Sequence, residues 1–238
     1  MNSDNLQNTL YSLTQSGSFS NPAYSTLLHD YTRYHAVLFI EGGIFTIILI
    51  LLSVHFWRRI ISIQKAKTYS WTFEKKTYFG FGLISTVTAL LMLLIVAANL
   101  SNVLDPLEGF AQSISDLGTP QAGTQKAALY EAVNVWAQSG DTQIPFILQD
   151  EVRNRLSWQV PKAIICSILL VVFAVFTIYI WQTLINISQV EKPVWNLKEK
   201  GLIAIGLTTV LTTLLLMIMA LANTQASFAP VMLTLLFG

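Results

Sequence analysis

The chain has 238 residues, of which 53% are hydrophobic and only 11% charged; its mean hydropathy is +0.54 and its formal net charge +1. A soluble domain carries about 25% charged residues, so this composition excludes a fully hydrated globular surface and points to a membrane protein. One cysteine, Cys166, excludes an intramolecular disulfide and a cysteine-based metal site.

In chain order, Leu6, Leu10 and Leu13 recur at the spacing that lines one helix face, predicting an amphipathic helix that ends at a Gln15-Ser16-Gly17 turn. Asn21-Pro22 then reads as the cap and first residue of a long helix. That helix carries the first apolar stretch, Tyr34–Trp57, long enough for the ~20 residues that cross a bilayer core. The connection Arg58–Lys76 holds six basic residues and one acid, and the second stretch, Tyr78–Ala98, ends at Asn99. Asp105-Pro106-Leu107-Glu108 fits a capping box that starts a short helix. Leu117–Gln125, rich in Gly, Thr, Pro and Gln, is the expected linker. A second amphipathic helix follows with Leu129, Val133 and Trp136, then a third stretch, Ala163–Ile185. The connection from Ser188 to Lys200 carries Lys192, Lys198 and Lys200. The fourth stretch, Leu202–Ala222, ends at Asn223, and the tail Phe228–Gly238 is almost wholly apolar.

The chain repeats itself. An offset of 124 superimposes Trp57 on Trp181, Trp71 on Trp195, Lys76 on Lys200, Gly82 on Gly206 and Asn99 on Asn223. Four of the six tryptophans fall into two such pairs, which leucine-rich bias does not produce. At an offset of 123 the two amphipathic helices, the Gln-Ser-Gly turns and Pro22 with Pro145 also match. The expected fold is therefore an all-α integral membrane protein with four transmembrane helices, made by tandem duplication of a two-helix unit. Residues 1–116 form one repeat, 117–125 the linker and 126–238 the other, related by a pseudo-two-fold axis along the membrane normal. A small helical cap is expected on the outer face. The basic connections belong in the cytoplasm, because residues 1–32 contain no Lys or Arg and residues 100–160 have three against seven acids. Both termini then lie outside a plasma membrane, with no removable signal peptide expected.

Several residues are candidates for chemistry. Glu41 lies about two turns into the first stretch beside Gly42 and Gly43, and an ionisable group at that depth is a functional hypothesis by default. Its repeat counterpart is Ile165; Lys162 lies three residues away, so the two charges could meet as a structural ion pair or form a proton or cation site. Ser85, Thr88, Thr209 and Thr212 share a stripe at matched positions, and serve either as glue between helices or as a polar path. Asn99 and Asn223 read as helix caps or as the lining of an outer vestibule. Trp71, Trp195, Arg58 and Arg59 anchor the cytoplasmic hairpins to lipid or to a partner. His35 and His55 stand about 30 Å apart along one helix, too far to share a metal or haem. No cofactor or metal is expected, nucleic acid is an unsuitable partner, and no enzymatic motif appears.

These features favour a non-catalytic accessory or structural subunit. Its expected partners are membrane lipids and either another membrane protein or further copies of itself, bound through the outer cap or bundle flank. The apolar tail is the strongest pointer to that surface, unless it packs within the chain. A small channel or transporter using Glu41 and the hydroxyl stripe is the alternative, and an outer-face sensor with a separate cytoplasmic partner is a third reading.

Overall fold

A computed structural model of the chain describes residues 4–66, 71–189 and 195–237; Lys67 and Lys192 fall outside these. Eight α-helices follow one another among the described residues: α1 (Asp4–Gln15), α2 (Pro22–Ala66), α3 (Phe73–Leu104), α4 (Pro106–Ser115), α5 (Gln125–Ser139), α6 (Phe146–Gln189), α7 (Leu197–Phe228) and α8 (Pro230–Phe237). The first four contain 12, 45, 32 and 10 residues and the last four 15, 44, 32 and 8. Four of them, α2, α3, α6 and α7, are long and apolar enough to cross a membrane. At a rise of 1.5 Å per residue, α2 is about 67 Å long, roughly twice the thickness of a hydrocarbon core.

The helix ends have local causes. Asn21 Oδ1 accepts the Tyr24 amide at 3.1 Å, and Pro22 opens α2, as its fixed φ favours. Thr72 accepts the Lys75 amide at 3.3 Å before α3. Before α7, Asn196 and Glu199 cap reciprocally, with Glu199 N to Asn196 Oδ1 at 3.0 Å and Asn196 N to Glu199 Oε2 at 2.8 Å. Gly17 and Gly140 end α1 and α5 at φ 60° and 64°, the left-handed region that glycine enters without a Cβ clash.

Two expectations about the ends need correction. Asn99 and Asn223 do not cap helix ends: α3 runs to Leu104 and α7 to Phe228, since a polar side chain on a helix marks a change of surroundings, not a break in hydrogen bonding. Asp105 makes no side-chain capping bond; its amide closes the last turn of α3 on Ser101 O at 2.9 Å, with one residue separating the helices. For the apolar tail, of the two alternatives the packing within the chain is the one seen. The tail forms α8, in which Met232, Leu233 and Leu235 are buried.

Two compact units divide the chain, and each draws on both sequence halves. One comprises residues 1–39, 97–162 and 222–238; the other, residues 40–96 and 163–221. The first unit has a core of large apolar side chains, with Leu6, Leu10, Tyr24, Leu27, Phe110, Ile114, Leu129, Val133, Leu148 and Leu235 fully buried. Helix α1 packs against α4 and α5. Gln7 Nε2 donates to the terminal carbonyls of α4 at Ile114 and Ser115, both 3.3 Å, and to that of Leu117. Tyr130, at the same register 123 residues later, donates its hydroxyl to Leu235 O at the end of α8, 3.0 Å away. Burial raises the Tyr130 phenol above its ordinary value, so the donor proton stays in place at neutral pH.

The second unit is packed differently. Its apolar cluster is small, made by Leu49, Ala89, Met92, Met217 and Leu221. Helices approach closely where the Trp57 ring lies on Gly82 and the Trp181 ring on Gly206; a Cβ at those glycines would sit 3.3 and 3.2 Å from the rings. Their indole nitrogens donate to Thr86 Oγ1 at 3.1 Å and to Gly206 O at 3.2 Å.

Candidate functional site

The hydroxyl stripe lies in the second unit, where Ser85 and Thr209 are buried and Thr88 and Thr212 half-buried. Around it, hydroxyls bridge neighbouring helices. Ser53 and Thr86 join α2 to α3 at 2.7 Å, and Thr177 and Thr213 join α6 to α7 at 3.3 Å. Thr86 also donates to Gly82 O at 2.6 Å, and Thr209 to Gly206 O at 2.8 Å, so the bonds run to backbone and to adjacent hydroxyls. This is the chemistry of helix attachment in a medium that offers no water.

Glu41 is half-buried in the second unit, between exposed Ile40 and buried Gly42. Its helix is braced one turn on by Thr46, whose hydroxyl donates to Gly42 O at 2.7 Å. Lys162 is exposed in the first unit, and its ammonium lies over the Trp158 ring one turn earlier on α6, 4.2 Å from the centroid. A lysine stacked on tryptophan is a cation–π pair suited to an interfacial belt.

Asn99 acts as a side-chain partner inside the first unit. Its Oδ1 lies 2.7 Å from His35 Nδ1, and Asn102 Nδ2 reaches the same ring nitrogen at 3.4 Å. The imidazole also lies against Tyr31 and Tyr34, with ring centroids 4.4 and 5.0 Å away. Nearby, Gln225 Nε2 donates to Tyr34 O at 3.3 Å. Asn223 is half-buried on α7, and Ser227 donates back to its carbonyl at 2.8 Å. The sequence reading paired neither asparagine with a histidine. Asn99 and Asn102, spaced at i, i+3, were the available signal, but their partner lies on another helix.

No protein family, characterised protein or solved structure matches the chain. Its site must therefore be read from its own geometry.

The hairpin anchors form an aromatic cluster in the second unit. Phe73 lies 4.6 Å from the Trp195 centroid and stacks on Trp181 at 6.5 Å, while Phe81 meets Trp181 edge-on at 5.1 Å. Trp71 is exposed, meets Phe79 edge-on at 5.6 Å and carries Lys75 Nζ over its ring at 5.7 Å. Arg58 and Arg59 are exposed at the same end of α2.

Sequence reasoning also missed Asp30. It is buried on α2, and its Oδ2 accepts the Met232 amide at 2.8 Å, capping α8 from another helix. An acid buried beside the start of a helix is stabilised by unpaired amides there. Its partner stands 202 residues away, beyond the reach of any local motif.

Proposed function

We propose that the chain is a non-catalytic multi-pass subunit of the plasma membrane, made by tandem duplication, with both termini outside. Its first unit forms a helical cap that docks a membrane-protein partner or a further copy of the chain. The observation that carries this reading is the use of the second unit's hydroxyls. Ser53, Thr86, Thr177 and Thr213 bond helix to helix, which suits a scaffold better than a conducting path. Register-matched features support the duplication: Trp57 on Gly82 with Trp181 on Gly206, and the caps Thr72 and Asn196, all separated by 124 residues. A partner surface is supported by Leu104 and Phe146, each 76% exposed on the first unit. Purification from native membranes in a mild detergent tests the reading. A stoichiometric partner or a defined oligomer is expected, and Leu104→Asp with Phe146→Asp should release it. A monodisperse monomer with nothing bound would remove this reading.

A sensor is the second reading, favoured by the unbroken courses of α2 and α6 through residues of both units. It would require a cytoplasmic protein at Trp71 and Trp195, and replacing both with alanine should then abolish output while leaving the fold intact.

A further inference from the structure

Within the first unit, a cleft of about 420 Å³ opens between α2 and the start of α8, lined by Ser25, His29, Asp30 and Arg33 on one side and Pro230 and Val231 on the other. That volume falls within the range of small-ligand sites. Ser25, His29 and Arg33 are exposed and spaced four residues apart, so they form one stripe along α2. The acid in the cleft is already engaged: Asp30 is buried and holds the Met232 amide. Arg33 and His29, whose charges also act on Asp30, supply the cationic donors of the lining.

Arg33 immediately precedes the apolar stretch 34–57. A side chain at that point on a spanning helix reaches the depth of lipid phosphates, where long basic side chains extend their heads.

We propose that this cleft binds a phosphate group. The Arg33 guanidinium makes a forked pair with two phosphate oxygens, and His29 and Ser25 add single donors. Pro230 and Val231 form an apolar wall beside the group that carries it. A phospholipid headgroup and a soluble phosphate share this chemistry. The site stands independently of the partner docking proposed above.

The test uses the purified full chain in a neutral detergent, titrated separately with short-chain phosphatidylglycerol and with inorganic phosphate, and read by native mass spectrometry and thermal shift. Arg33→Gln should weaken phospholipid binding roughly tenfold, the size of one lost charge-assisted hydrogen bond. Arg33→Lys should recover part of it, and Arg153→Gln, at an exposed arginine of the same unit, should change nothing. Lipid binding that inorganic phosphate does not displace identifies a headgroup site. Displacement by millimolar phosphate identifies a soluble ligand. Equal binding by the wild type, Arg33→Gln and Arg153→Gln, or no binding by any of them, overturns the proposal.

Discussion

The two units differ in how far they bury small and hydroxyl-bearing residues beside large apolar ones. In the first, the most enclosed side chains are large and apolar, led by Tyr24, Phe110 and several leucines. In the second, buried positions include Gly82, Ser85, Ala89, Cys166, Thr177, Gly206 and Thr209, while large aliphatics such as Leu94 and Leu211 are 68% and 69% exposed. Water drives apolar bulk inward, so the first unit follows the rule for a soluble helical domain. Lipid tails are as apolar as leucine and give no such drive; small residues then gain most by letting backbones approach, and hydroxyls gain by finding partners. One chain thus follows two packing rules, and the change falls within continuous helices.

That contrast can be broken at graded cost. Phe110→Ala removes a fully buried ring from the first unit and should lower stability by about 3 to 5 kcal/mol, measured by chemical denaturation in detergent. A loss under about 1 kcal/mol would mean that this unit is not packed like a water-soluble core. Gly82→Val and Gly206→Val force bulk against Trp57 and Trp181 and should each cost about 1 to 3 kcal/mol, seen as a lower melting temperature with a shift in tryptophan emission. Ser53→Ala removes one interhelical hydroxyl and should cost only about 0.6 kcal/mol; a much larger loss would mark Ser53 and Thr86 as more than attachment. Smallest of all, Leu94→Ala should leave stability in lipid nearly unchanged. A substantial loss there would show that its exposed face meets protein in the membrane.

The spans were legible because length and apolar content fix them whatever surrounds them. The amphipathic faces were legible too: Leu6, Leu10, Leu129, Val133 and Trp136 are all buried. Outer helix ends were harder to place. Asn99 and Asn223 coincide with the end of apolar character, yet helical hydrogen bonding continues to Leu104 and Phe228. The fate of the tail was hidden because apolar residues bury equally well against lipid, a partner or their own chain. Among the candidate residues, the stripe's spacing marked a hydroxyl-rich face, but the bonds between helices are made by its neighbours Ser53, Thr86, Thr177 and Thr213. The bond between His35 and Asn99 was not foreseeable, because two polar residues on different helices give no periodic signal.

The clasp between Asp30 and the Met232 amide sets an order of assembly. The acid belongs to α2 and its acceptor role is filled by α8, 202 residues later. A nascent chain can therefore thread its apolar hairpins into the bilayer one after another, while the first unit waits for residues 222–238 to be made. Quality control that samples the protein before that point would meet a completed second unit and a first unit still open. Shortening the carboxyl end would leave it permanently in that state.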